Sequence, residues 1–158
     1  MAVGDGEQVK DALAITSTGS GIAQTVVPGV DSLTGVSCPE TGFCVAVGVQ
    51  DTKNTTNTVG LVYDEGQWGA PTLLSHDSYG TEVSCASRSF CVATGYAGSD
   101  RSADEAFRFE NGHWAPRYIL GYQQSPFISV SCTADGGCVV VDGGGHSYRF
   151  SGQKWTKL

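Results

Sequence analysis

Six cysteines fall into three pairs of identical spacing: Cys38 and Cys44, Cys85 and Cys91, Cys132 and Cys138. Thiols placed like this can close disulfides, bind a metal or pack as small hydrophobes. Zinc ligands usually come two to four residues apart with further Cys or His nearby, and a five-residue gap fits that poorly. Two cysteines that end one strand and begin the next would face each other across an antiparallel ladder. Their Cα atoms would then stand about 4.5–5.5 Å apart, inside the range a disulfide accepts. Disulfides within each pair are the expectation, and buried free thiols are the alternative. Bonded cysteines imply an oxidising compartment, hence a secreted or cell-surface protein. The opening MAVGDGEQVKD turns polar at once and carries no signal peptide, as in a mature or excised piece.

Other groups able to do chemistry are scattered. His76, His113 and His146 belong to no metal motif, so no metal or cofactor is expected. Glycoside hydrolysis needs two carboxylates roughly 5–10 Å apart. Asp77, Asp100 and Asp142 could supply them only if the fold gathers them. The glycine-rich run at 142–146 opens no helix and is not a phosphate cradle. Asn54-Thr55-Thr56 matches a glycosylation sequon by pattern alone. No catalytic residue is assigned.

The elements that position these residues come from a repeat. Cys38, Cys85 and Cys132 recur every 47 residues, and so do Cys44, Cys91 and Cys138. Downstream of each pair comes GLVYDEGQW (60–68), AFRFENGHW (106–114) or SYRFSGQKW (147–155). Each unit reads as four strands, A to D. Strand B, such as FCVAVG, is apolar at consecutive positions, which suits a strand covered on both faces. DEGQ, ENG and SGQ are turn residues of the kind that join strands C and D. Ala2-Val3-Gly4 matches the AVG of strand B at 46–48, so the chain opens inside a unit without strand A.

The fold class is therefore all-β: a β-propeller-like array of four-stranded antiparallel blades in one domain, 1–158. It divides into a partial blade (1–32) and blades at 33–79, 80–126 and 127–158. Units of 40–50 residues buried on both sides by their neighbours describe such blades. Trp68, Trp114 and Trp155 are expected to pack between them. A β-solenoid or sandwich is the structural competitor. An open strand edge at either end would invite self-association that completes the ring.

Alternation of strands sorts the loops onto two ends. The A–B and C–D turns share one end, and the B–C and D–A connections share the other. The second end gathers His76, Asp77, Tyr79, Tyr96, Asp100, Arg101, Tyr122, Gln123, Asp142 and His146. Aromatic rings beside carboxylates and amides suit recognition of a sugar or a peptide.

Composition narrows the partners. The net charge is −7, and the nine Lys and Arg are scattered, so the basic footprint of a nucleic-acid binder is missing. No run approaches the roughly 20 apolar residues of a membrane helix.

SCPETGFCVAVG followed by YDEGQW resembles the repeats of secreted actinobacterial β-propeller proteins, whose blades carry SC-x5-C-x-A-V-G and then a DG-x-W turn. The DEGQW turn is also distantly similar to the Asp-box of sialidase-type propellers, but lacks the preceding Ser and is one residue shorter before the Trp. The resemblance covers about residues 33–158. It implies an extracellular repeat module and carries no catalytic set. The expected function is a non-catalytic binding module for a glycan or protein ligand. The alternatives are a fragment of a sialidase-like hydrolase or lyase, and a structural or assembly module.

Overall fold

A computed structural model describes residues 1–5, 11–18, 21–98, 103–122, 128–151 and 153–158. The described residues form strands and turns with no helix. The strands make four antiparallel sheets in chain order. The first holds β1 (Ala2–Asp5), β2 (Ala12–Thr18) and β3 (Gly21–Val27). The second holds β4 (Ser32–Glu40), β5 (Phe43–Asp51), β6 (Thr56–Asp64), β7 (Gln67–Trp68) and β8 (Thr72–Ser75). The third repeats that plan with β9 (Ser78–Ser87), β10 (Phe90–Ala97), β11 (Ala103–Glu110), β12 (His113–Trp114) and β13 (Tyr118–Gly121). The fourth holds β14 (Ile128–Cys132), β15 (Cys138–Asp142), β16 (Ser147–Ser151) and β17 (Lys154–Lys157).

In the second and third sheets the fourth strand is split in two. Both halves, β7 with β8 and β12 with β13, pair with the same third strand. Pro71 and Pro116 lie in the breaks. Proline has no N–H to give a ladder, so pairing stops there. The turns before the tryptophans also follow from sequence. Glu65-Gly66 and Asn111-Gly112 all have positive φ, from 47 to 95°, as a two-residue turn that continues the strand twist requires.

The cysteine pairs lie where the spacing predicts, each at disulfide distance within its own hairpin. Cα separations are 4.1 Å for Cys38–Cys44, 3.9 Å for Cys85–Cys91 and 4.1 Å for Cys132–Cys138. These are shorter than the ladder spacing anticipated. Irregularities in register at Ser37/Glu40 and Phe90/Cys91 accompany the first two pairs.

The sheets stack face to face, and the second strands show why. On β5, Val45 and Val47 face the third sheet while Ala46 faces the first; all three are fully buried. On β10, Ala93 faces back to the second sheet and Val92 forward to the fourth, again fully buried. Consecutive apolar residues thus serve two cores at once, each buried valine contributing about 1.5–3 kcal/mol. Trp114 lies on the second sheet in the space left by Gly60, where an added Cβ would stand 2.5 Å from the indole. The tightest contacts between sheets run along β4, β9 and β14. Ser37 Oγ accepts from Cys85 N–H at 3.0 Å, and Ser84 Oγ from Cys132 N–H at 2.9 Å, so one inter-sheet link is used twice.

The strands run further than the sequence reading placed them. The connection from β5 to β6 is only residues 52–55, and β9 begins at Ser78. Tyr79 and Tyr96, expected in loops, are strand residues.

Candidate functional site

Tyr79 on β9, Tyr96 on β10, Asp104 on β11 and Gly121 on β13 stand in register across the third sheet. The rings of Tyr79 and Tyr96 stack at 5.3 Å between centroids. Tyr96 packs against the core shared with the fourth sheet, so this row faces β15 and β16. There the backbone closes a tight turn after Asp142. His146 N–H donates to Asp142 Oδ1 at 2.8 Å, and His146 Nδ1 donates to Oδ2 at 2.9 Å. Gly145 supplies the positive φ, 85°, that the turn needs.

Asp104 completes this cluster. It is 1% exposed, and neither carboxylate oxygen has a hydrogen-bond partner. Its pKa is raised from 3.8 to about 6, first by burial and then by the charge of Asp142, with His146 opposing and a hydrogen bond from the protonated carboxyl to Asp142 adding to the rise. Desolvation and a like charge both disfavour the ionised form. Tyr148, buried beside the two carboxylates, is raised as well, burial again being the main cause.

A second polar cluster occupies the other face of the third sheet at the same end. Glu105, fully buried, accepts from Ser75 Oγ at 3.1 Å, from Arg117 Nη1 at 2.6 Å and from Ser78 Oγ. Thr58 Oγ1 donates to Ser78 Oγ at 2.8 Å, and Arg117 Nη1 also reaches Ser75 Oγ at 3.0 Å. Next to it, exposed His76 places Nδ1 3.1 Å from Asn57 Oδ1.

Tyr79, Tyr96, Asp142 and His146 are therefore gathered into one cluster. His76 and Asp77 form the turn into β9 and belong to the opposite side of the third sheet. Tyr122 stands beyond Gly121, 77% exposed. Asp100, Arg101 and Gln123 lie outside the described residues.

Among the grooves of the molecule, one touches the first cluster through Asp142 and another lies at the opposite, cysteine end. The first groove, of about 400 Å³, lies where β4, β9 and β14 converge and is lined by Thr34, Thr81, Glu82, Ser129, Val141, Asp142 and Gly143. Glu82 Oε2 there accepts from Val130 N–H at 3.0 Å. The other, of about 530 Å³, opens at the cysteine end between the second and third sheets, with Phe43, Phe109 and Asn111 in its wall. Arg88 covers it, 4.5 Å above the Phe43 ring and paired with Glu40 at 3.0 Å and Asp64 at 2.7 Å. Sequence reasoning missed Asp104 and the hydroxyls of the first groove.

Among the described residues no group of three or more His, Cys, Asp or Glu could hold a metal ion. No protein-family model and no curated protein matches the chain. The site rests on its own geometry.

Proposed function

We propose that the chain is a secreted, propeller-like repeat module that binds a glycan, without catalysis, at the end carrying Tyr79, Tyr96, Asp142 and His146. The observation that carries this reading is the groove of about 400 Å³, where hydroxyls and carboxylates stand beside the apolar surface of Val141, joined through Asp142 to the stacked tyrosines. Sugars are recognised by a ring face for their C–H surface and by convergent polar groups for their hydroxyls. Four sheets stacked in chain order, tightest along the A strands, support the propeller-like arrangement. Three cysteine pairs at disulfide distance support an oxidising compartment.

Asp104 and Asp142 are the carboxylates nearest to a hydrolase pair. Their side chains are both about 1% exposed, and general acid and nucleophile must touch the glycosidic bond. That burial counts against these two as a hydrolase pair.

Tyr79 is 37% and Tyr122 77% exposed, whereas Tyr96 is packed against the core. The double change Tyr79→Ala with Tyr122→Ala should abolish capture on a glycan array and leave the unfolding temperature nearly unchanged. Aromatic anchors commonly contribute about 2 kcal/mol or more each. Undiminished capture by the double variant would assign binding elsewhere. Capture of a protein in a parallel pull-down, with a blank array, would replace glycan by protein as the ligand.

A further inference from the structure

Each internal junction between sheets is made of two unlike faces, and the molecule presents one of each uncovered. The forward half of a junction is built on the second strand. Val45 and Val47 of β5 meet the third sheet, and Val92 with Thr94 of β10 stand at the same positions one repeat on; all four are fully buried. The same positions on β15 are Val139 and Val141, which are 41% and 45% exposed. Ser131, the third member of the series Ser37, Ser84 and Ser131, is exposed beside them.

The backward half is built on the second and third strands. Ala46 pairs with Leu61 and Gly48 with Val59; Leu61 and Val59 are 1% exposed beneath the first sheet. In the first sheet the matching pairs are Ala2 with Ile15 and Gly4 with Leu13. Here Ile15 is 42% exposed, and Ile22 and Val26 on the adjoining β3 are 78% and 48% exposed. Isolated apolar residues on a surface are ordinary, but a contiguous apolar face marks an interaction site.

Charge on the matched faces agrees: Arg149 pairs with Val139 and Lys154 with Ser151 on the same face of the fourth sheet, while Asp11 stands two residues before Leu13.

We propose that the Val139/Val141 face of the fourth sheet docks on the Leu13/Ile15 face of the first sheet of a second copy of this chain, continuing the internal stacking from one molecule to the next. The contact is face to face, whereas the sequence pointed to an open strand edge. It is heterologous, so copies join head to tail and either close a ring or extend. Val141 also lines the groove of the ligand reading, whereas Val139 and Ile15, the positions tested below, lie outside it.

Sedimentation velocity on the 158-residue chain, disulfides intact and over a wide concentration range, should show reversible association. Val139→Lys and Ile15→Lys each place a charge in the apolar contact and should each weaken association about a hundredfold. Both positions are over 40% exposed in the single chain, so unfolding temperatures should be unchanged, which separates lost docking from lost folding. The decisive arm mixes the two variants. Each retains one intact face, so the mixture should form a one-to-one dimer and nothing larger. A wild type that stays monomeric throughout overturns the proposal. So does association that survives both substitutions, or a mixture in which no dimer returns.

Discussion

Glu105 and Asp104 are consecutive residues of β11, both out of solvent, yet one is surrounded by donors and the other faces an acceptor. Alternation along a strand sends them to opposite faces of the third sheet. Glu105 enters the junction with the second sheet and finds two hydroxyls and a guanidinium. Asp104 enters the junction with the fourth sheet and finds Asp142, whose oxygens are already engaged by His146. Burial is the same, so burial does not explain the difference. The supply of hydrogen-bond donors does. A buried carboxylate with donors around it ties two sheets together, while one without them makes its junction depend on whether it carries a proton.

The largest effect should come from emptying the satisfied side. Glu105→Ala leaves Ser78 without its acceptor, leaves Ser75 only the His76 carbonyl, and opens a void at a fully buried position. Removing one partner of a buried polar set usually costs about 3–5 kcal/mol. Arg117 is 49% exposed and can turn to water, so the lower end, about 3 kcal/mol, is expected in urea unfolding. A loss below about 1 kcal/mol would show that the network is incidental to the junction.

The opposite sign is expected next door. Asp104 has a folded-state pKa of about 6 against an ordinary 3.8, so the folded protein holds this proton more tightly than the unfolded chain. Its contribution to stability is fully present below pH 3.8 and is lost as pH rises through 6. The shift corresponds to about 3 kcal/mol. Asp104→Asn cannot ionise, and its amide can donate to Asp142. The stability of this variant relative to wild type should therefore climb between pH 4 and pH 7 by about 2–3 kcal/mol. Taking the difference cancels the titration of every group not coupled to Asp104. A difference that stays level across that range would mean that Asp104 is not strained by its surroundings.

Much of this architecture was legible before any coordinates. The 47-residue recurrence of cysteine pairs located the hairpins, and the unbroken apolar run of FCVAVG foretold a strand buried on both faces. The polar clusters were not legible for a physical reason. Strands β6, β10 and β11 extend through polar residues because neighbouring sheets supply their partners, and local composition cannot report that. Superposing the repeats would have exposed the anomaly. Gly48 pairs with Val59 where Gly95 pairs with Glu105, and Val49 with Thr58 where Tyr96 pairs with Asp104. Two acids occupying positions that are valine and threonine one repeat earlier are the visible trace of the site. Tyr79, Tyr96, Asp142 and His146 stand together in the structure, but which face of the third sheet each joins is read only from the register.

A smaller test sharpens the comparison by asking whether donors act through the acid they serve. Ser78, fully buried, donates to Glu105 and receives from Thr58. Ser78→Ala changes almost no volume, so its cost is one donor withdrawn from the carboxylate and one acceptor withdrawn from Thr58, about 1–2 kcal/mol. Strand pairing is untouched, because the backbone of Ala is the same. In a double-mutant cycle with Glu105→Ala, most of that cost should vanish, a coupling of about 1 kcal/mol between contacting residues. The full loss persisting without Glu105 would assign the role of Ser78 to Thr58 and packing alone. Glu105 would then be held by Ser75 and Arg117, and the two faces of β11 would differ by fewer donors than the distances indicate.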